Sequence, residues 1–112
     1  MTEFDTAVPE VDPATASERL AGGAVVLDVR EDDEWEAGRI AGSVHIPLGA
    51  LGGRQAEIPQ APLVVVCRSG NRSAHAAAAL LRAGYPAENL AGGLKAWRAA
   101  GLPLEPADGF VA

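Results

Sequence analysis

The chain contains a single cysteine, Cys67, and its surroundings indicate nucleophilic chemistry. The apolar run 63–66 precedes it, a short polar loop follows, and an alanine-rich segment begins at Arg72. This order predicts a buried strand, a tight loop and a helix. Backbone N–H groups at a helix N-terminus favour an anion held in such a loop. We therefore expect the pKa of the Cys67 thiol to be lowered, so that much of it is thiolate near neutral pH.

The loop after Cys67 decides between a nucleophile and a packed thiol. A cysteine at the end of a buried strand is more often a small hydrophobic residue than a nucleophile. Here two guanidinium groups flank the sulfur, and Gly70 allows the left-handed backbone that a tight loop needs. This composition favours the nucleophile. The candidate binding loop comprises Arg68, Ser69, Gly70, Asn71 and Arg72.

Short apolar runs alternate with helical patterns, which predicts an α/β fold. We expect strands near 7–11 and at 24–29, 42–47, 63–66 and 86–90, and helices at 13–21, 30–36, from 72 and from 93. Between 48 and 61, glycine and proline leave only one expected helical turn, at 54–58. The prediction is a single domain with a central, mainly parallel five-stranded sheet and helices on both faces.

The helix after Cys67 is expected to face the sheet with small apolar residues, while His75 faces solvent or a neighbouring turn. The residues that recur at helical spacing are Ala74, Ala77, Ala78 and Leu81. In the last helix, Leu94 and Trp97 are spaced to face the sheet.

Asp28 and Arg30 end the apolar run 24–29 and begin an acidic segment. We interpret them as partners that satisfy buried polar groups and each other, in preference to an acid/base pair. Trp35 is interpreted as a core anchor and His45 as a packed or hydrogen-bonded histidine.

Composition limits the function classes. Residues 1–62 carry 4 basic and 12 acidic side chains, a balance of −8, and residues 63–112 carry 5 and 3, a balance of +2, which together give the net charge of −6. An acidic chain without a basic run is a poor nucleic-acid ligand, whereas a local cationic site suits a small anion. One cysteine and two histidines are too few for a disulfide or a structural zinc site.

The chain is also expected to be a soluble cytoplasmic protein. It begins without a basic region followed by an apolar segment, and no stretch approaches the ~20 apolar residues of a membrane span. A lone cysteine implies a reducing compartment.

Three segments of the chain, 28–47, 67–73 and 89–103, carry motifs that follow one another in this order. In these motifs the chain resembles the single-domain rhodaneses, the thiosulfate sulfurtransferases. Residues 67–73 resemble the active loop of that family. The resemblance extends from about Val8 to Glu105, so we treat 1–112 as one rhodanese-like domain with frayed termini. Arg39 stands where a histidine is common, and His45 where an asparagine is common. The matching sequences are Cys-Arg-Ser-Gly-Asn-Arg-Ser at 67–73, Asp-Val-Arg-Glu at 28–31, Glu-Trp at 34–35, Gly-Arg-Ile-Ala-Gly-Ser-Val-His-Ile-Pro at 38–47, Asn-Leu-Ala-Gly-Gly-Leu-Lys-Ala-Trp at 89–97 and Gly-Leu-Pro at 101–103.

The resemblance implies sulfur transfer by double displacement. The Cys67 thiolate attacks the outer sulfur of a small anionic donor such as thiosulfate, sulfite leaves, and a persulfide passes its sulfur to a thiol or cyanide acceptor. Backbone N–H groups of the loop hold the persulfide, while Arg68 and Arg72 attract the donor unless Arg72 braces the loop. No metal or organic cofactor is implied, and we expect a monomer.

Two other classes remain as alternatives. Cysteine phosphatases and arsenate reductases of similar fold carry a Cys-x5-Arg loop, whereas Cys67 and Arg72 frame Cys-x4-Arg. A docking module without activity often loses the cysteine or the basic and glycine residues of the loop, all of which this chain keeps. A carrier that hands its persulfide to a partner protein is compatible with the same residues.

The two loop arginines are expected to differ. Arg68 precedes the turn at Gly70 and should project to the mouth of the loop. Arg72 opens the helix and should brace the loop through backbone carbonyls or an acidic partner such as Asp28 or Glu31.

Overall fold

Valine-rich runs form two of the three inner strands of a five-stranded parallel sheet in the computed structural model, which describes residues 8–112. The strand order is β1-β5-β4-β2-β3, and each neighbouring pair is parallel. The predicted mainly parallel sheet is confirmed. The fraying expected at the N-terminus falls on residues 1–7, outside the described part of the chain. The strands are β1 (Glu10–Val11), β2 (Val25–Asp28), β3 (Val44–His45), β4 (Leu63–Val66) and β5 (Ala87–Leu90).

The helices begin and end where local chemistry favours it. The Asp12 side chain accepts a hydrogen bond from the Thr15 N–H at 2.8 Å, and Pro13 occupies the first helical position of α1. Within residues 8–112, no helix is both long enough and apolar enough to cross a bilayer. The helices are α1 (Pro13–Ala21), α2 (Asp32–Ala37), α3 (Asn71–Arg82) and α4 (Gly93–Ala99).

The helical turn expected at 54–58 is present, but a helix that precedes it was missed. Two short 3-10 helices, Leu48–Gly53 and Gln55–Glu57, occupy most of this segment. Their turns close by local bonds, such as the Ala50 N–H to the Pro47 oxygen at 2.8 Å. A 3-10 turn needs only three residues and no apolar periodicity, so the pattern of the sequence did not reveal the helix Leu48–Gly53.

Alternate residues of the central strand β4 enter two different cores. Leu63, Val65 and the following Cys67 pack on the face that carries α3, while Val64 and Val66 pack on the face that carries α1 and α4. The predicted helices on both faces are confirmed, as are the buried positions of Leu94 and Trp97.

The predicted inner face of α3 was wrong by one position. His75 is exposed, as expected. Four alanines in succession carry no directional signal, so the direction of the buried face could not be derived from them. The residues that α3 buries are Ser73, Ala76, Ala77 and Leu80, so of the expected Ala74, Ala77, Ala78 and Leu81 only Ala77 is fully buried.

A fully buried ion pair joins the end of β2 to α2. Arg30 donates from Nη2 to Asp28 Oδ2 at 2.8 Å, and both side chains are completely buried. The guanidinium also donates to the main-chain oxygens of Glu34 at 3.1 Å and Gly38 at 2.7 Å. The predicted mutual satisfaction of Asp28 and Arg30 is confirmed.

Trp35 is not the core anchor that the sequence analysis predicted. It is half-buried on α2, and its ring stacks on His45 with centroids 4.6 Å apart and planes 6° apart. The Arg39 guanidinium lies 5.1 Å from the centre of the same ring. His45 also hydrogen-bonds the Arg30 oxygen through Nε2 at 2.7 Å, as a packed histidine was expected to do. Trp35 stays outside both cores because α2 lies beside the ends of the strands.

We expect Arg30→Met to destabilise the fold by about 3–5 kcal/mol, because it leaves Asp28 buried without its partner. Arg54→Met is the matched control, since it breaks the exposed pair with Glu57. Urea unfolding of both variants measures the difference. The control should keep the wild-type midpoint, and equal losses in the two variants would contradict this account.

Candidate active site

The loop after β4 encloses the Cys67 sulfur. Cys67 is 1% exposed, and α3 begins four residues later at Asn71. Gly70 has φ +102°, which confirms the expected left-handed conformation. This conformation turns the Gly70 N–H toward the sulfur, at 3.1 Å from Sγ. A backbone donor is thus fixed on the sulfur before any ligand arrives.

The first turn of α4 forms hydrogen bonds to the main chain of the loop. The N–H groups of Leu94 and Lys95 donate to the main-chain oxygens of Cys67 at 2.9 Å and Arg68 at 3.0 Å. Gly93 lies so close that a Cβ there would stand 2.6 Å and 2.5 Å from the same two oxygens. The loop carbonyls are therefore engaged by α4, and the loop can direct N–H groups to the sulfur.

Hydrogen bonds decide the ionisation of Cys67. Burial by itself raises the pKa of the thiol, but it is outweighed by the Ser73 hydroxyl, 3.2 Å from Sγ, and by the backbone N–H groups of Ser73, Gly70 and Ser69. The pKa of Cys67 is consequently below its ordinary value. The lowered pKa was expected, but its main causes are these hydrogen bonds and not the two guanidinium groups.

A buried polar chain behind the sulfur was missed by the sequence analysis. The Ser73 hydroxyl lies 2.6 Å from Asn89 Oδ1, and Asn89 Nδ2 donates to Glu10 Oε2 at 2.9 Å and to the Gly70 oxygen at 3.1 Å. Ser73 and Asn89 are both completely buried. The available signal was a pair of adjacent polar residues in β5, Glu88 and Asn89, of which strand alternation turns one inward, where a buried amide requires partners.

Arg72 pairs with an acidic side chain, the kind of partner the sequence analysis expected, but neither of the two carboxylates it named is the one observed. Its guanidinium forms a two-pronged pair with Glu34, both bonds being 2.8 Å. These bonds are the main reason that the pKa of Glu34 is lowered to about 2. Asp28 is already occupied by Arg30, and Glu31 lies exposed at the start of α2, one turn before Glu34.

The other loop side chains lie at the surface. Arg68 is exposed, and its Nε donates to the main-chain oxygen of Ala112 at 3.0 Å. Ser69 and Asn71 are also exposed. The structure therefore gathers the loop backbone around Cys67, while the side chains of Arg68, Ser69 and Asn71 face solvent. The substrate-binding roles of these side chains stay predictions.

A large groove lies away from this loop. Its volume is about 520 Å³, and its walls include Pro62, Tyr85 and Pro86 at the opposite ends of β4 and β5. None of the loop residues lines it. The candidate site is therefore defined by the chemistry around Cys67 and not by the size of a cavity.

Comparisons with known proteins point to one family. Residues 12–100 match the family model of the rhodanese-like domain. A sulfurtransferase of Allochromatium vinosum is 39% identical over 106 residues, covering 91% of this chain and 99% of that protein. The thiosulfate sulfurtransferase GlpE of Ectopseudomonas mendocina is 38% identical over 112 residues, covering 97% of both. A crystal structure of a rhodanese-related protein from Thermoplasma volcanium has a TM-score of 0.81 at 32% identity, covering 86% of this chain and 96% of that one.

With this fold and this cysteine loop, the chain belongs to the rhodanese-like domain family, as its three segments indicated. It is a single rhodanese-like α/β domain of the sulfurtransferase class.

The Glu34–Arg72 pair should make stability depend on acid pH. The pKa of Glu34 is about 2 in the folded protein and about 4.3 in an unfolded chain. The pair therefore contributes its full stabilisation of the fold at pH values above the pKa of the unfolded chain. Its contribution is lost as the pH falls through about 2. We therefore expect the difference in Tm between wild type and Glu34→Gln to shrink as the pH is lowered across this interval.

Thermal unfolding between neutral pH and this acid range measures that difference. Glu36→Gln, which removes an exposed carboxylate from the same helix, is the control and should track the wild type throughout. A Glu34→Gln difference that stays constant with pH would contradict the assigned pair.

Proposed function

We propose that the protein transfers a sulfane sulfur from a small anionic donor such as thiosulfate to a thiophilic acceptor through a persulfide on Cys67. The observation that carries the proposal is a buried sulfur with a lowered pKa, held by the Gly70 N–H and the Ser73 hydroxyl. The names of near-full-length relatives, thiosulfate sulfurtransferases at about 38% identity, support the choice of donor.

The first half-reaction is a displacement at sulfur. The Cys67 thiolate attacks the outer sulfur of the donor and forms a new S–S bond, while the bond between the two donor sulfurs breaks and sulfite leaves with its electron pair. Neither partner must lose a proton in this step. A general base is therefore not required, which agrees with a sulfur whose side-chain partner is the Ser73 hydroxyl and not a carboxylate.

The second half-reaction returns the enzyme to its starting state. The persulfide carries its negative charge on the outer sulfur, above Sγ, where N–H groups of the loop can stabilise it as an oxyanion hole stabilises oxygen. A thiol in its thiolate form, or cyanide, attacks that outer sulfur, and the Cys67 thiolate is the leaving group. The loop from Arg68 to Arg72 thus serves both half-reactions without a metal or organic cofactor.

The two arginines of the loop have different electrostatic roles. Arg72 is committed to Glu34 by two bonds of 2.8 Å, so its role is to hold the beginning of α3 in place. Arg68 directly follows Cys67 and is exposed, so it carries the cation that meets an incoming dianion. Because the chain has a net charge of −6, such a local cation is needed to attract an anionic donor.

Loop geometry favours sulfur transfer over phosphate chemistry. Only four residues separate Cys67 from Arg72, and the Gly70 N–H already lies 3.1 Å from Sγ. A loop closed this tightly suits one added sulfur atom and leaves little room for a tetrahedral oxyanion.

The same enclosure favours small reactants. With Sγ buried, a small thiol or cyanide reaches the persulfide more readily than a folded partner. A sulfur-accepting protein stays the alternative acceptor. A monomer in a reducing compartment such as the cytoplasm fits a thiol that must be regenerated in each cycle.

Incubation with thiosulfate should add one sulfur atom to Cys67. We expect the intact mass to rise by about 32 Da, as a persulfide intermediate requires, and dithiothreitol to reverse the rise. Cys67→Ser should show no change in mass. A Cys67→Ser protein that still gains one sulfur would refute the mechanism.

Arg68→Ala and Arg72→Ala should separate donor capture from loop support. We expect Arg68→Ala to raise the thiosulfate KM and weaken its salt dependence, with stability within about 0.5 kcal/mol of wild type. Arg72→Ala should lower turnover with every donor and cost about 1–3 kcal/mol, toward the lower end because its side chain is 35% exposed.

Donor-dependent kinetics and thermal unfolding measure both effects. Arg82→Ala makes the same change of net charge at the far end of α3 and serves as the control. The assignment fails if Arg68→Ala is the less stable protein while Arg72→Ala changes only KM.

A further inference from the structure

The Ser73 hydroxyl faces two acceptors but has one proton to give. Its oxygen lies 3.2 Å from Cys67 Sγ and 2.6 Å from Asn89 Oδ1. All three side chains are at most 1% exposed, so water does not supply a substitute donor from bulk solvent. A hydroxyl donates one hydrogen bond at a time, and the two contacts therefore compete.

The orientation of Asn89 is fixed by its other partners. Its Nδ2 group donates to the Glu10 carboxylate at 2.9 Å and to the Gly70 main-chain oxygen at 3.1 Å. Both partners are acceptors, so a flipped amide would place oxygen against oxygen twice. The Asn89 carbonyl must consequently face Ser73 as an acceptor.

Two arrangements of the Ser73 proton follow from this geometry. When Cys67 is a thiol, Ser73 donates to Asn89 and its oxygen accepts the S–H. When Cys67 is a thiolate, Ser73 donates to the sulfur, and the Asn89 oxygen loses its bond in a buried site. Ionisation of the sulfur therefore costs the Ser73–Asn89 hydrogen bond.

We propose that Asn89 is a positioning residue that restrains Cys67 by competing for the only proton of Ser73. Asn89 touches neither the sulfur nor the donor, and it acts through the Ser73 hydroxyl. The inference rests on the proposed role of Cys67 as sulfur carrier. In that cycle Ser73 bonds the thiolate before attack, and it returns to Asn89 once the charge has moved to the outer sulfur of the persulfide.

Charged groups around Cys67 could also govern its ionisation and must stay constant in the test. Arg68 lies in the loop, and Arg72 of α3 is paired with Glu34 of α2. The Asp28–Arg30 pair ends β2, and Glu10 of β1 holds Asn89. Substitutions at Ser73 and Asn89 leave all these charges in place. A double-mutant cycle on Ser73 and Asn89 therefore isolates the effect of their shared proton on the pKa of Cys67.

The experiment measures the pKa of Cys67 in the full chain without any sulfur donor, from the ultraviolet absorbance of the thiolate and from the pH dependence of iodoacetamide alkylation. The proteins are wild type, Asn89→Leu, Ser73→Ala and the double variant. Ser73→Ala should raise the pKa by about one unit, the size of a lost hydrogen bond to a charged group.

The decisive comparison is the effect of Asn89→Leu in the two backgrounds. With Ser73 present, we expect Asn89→Leu to shift the pKa of Cys67 downward relative to the shift that the same substitution causes in the Ser73→Ala background. The expected difference between the two shifts is about 0.5–1 unit, which corresponds to about 3–10-fold faster alkylation below the pKa. Loosening of the loop through the lost Gly70 contact acts equally in both backgrounds and cancels. The same effect in both backgrounds would overturn the proposal.

A folding check and a second variant keep this result interpretable. Thermal unfolding confirms that each protein is folded, and Asn89→Ala replaces Asn89→Leu if the larger side chain is not accommodated. The gain of one sulfur from thiosulfate is measured separately. Coupling between Ser73 and Asn89 without persulfide formation would retain this inference about the thiol and reject the proposed function.

Discussion

The structure depends on one constraint: a sulfur that ionises more readily than an ordinary thiol is buried at the end of the central strand. An uncompensated anion in such a place is strongly unfavourable, so donors must surround it before the reaction starts. Cys67 receives them from the Gly70 N–H, from the Ser73 hydroxyl and from the neighbouring amides. The left-handed turn at Gly70 and the beginning of α3 exist in the form needed to supply those donors.

Parallel strand topology makes this arrangement possible. The strands all point the same way, so residues that follow them meet at one edge of the sheet. Asn89 on β5 is paired in register with Glu10 on β1 and with Val65 on β4, which places it directly behind the loop. Asp28 ends β2 at the same edge, and Arg30 then anchors α2. This anchoring brings Glu34 within reach of Arg72.

Features that are local in sequence could be predicted, and features that join distant segments could not. The strand, loop and helix around Cys67 follow from a valine run, a glycine and a change of period. The partner of Arg72 depends on how α2 is turned after Arg30, which no local pattern encodes. The alanine-rich α3 gives no unique inner face, and so the inward direction of Ser73 was invisible. Trp35 was misassigned because aromatic residues usually fill cores, whereas α2 lies outside both layers.

The close approach of Gly93 to the loop has a consequence for how sequence can change here. A side chain at this position would meet the Cys67 and Arg68 oxygens at about 2.6 Å and 2.5 Å, and the backbone there has φ +64°. Displacement of α4 would release those two carbonyls from the Leu94 and Lys95 amides. The loop could then rotate its peptide planes and turn oxygen, in place of N–H, toward the sulfur. Gly93, which belongs to a different element, thus controls the polarity of the loop surface that faces the sulfur.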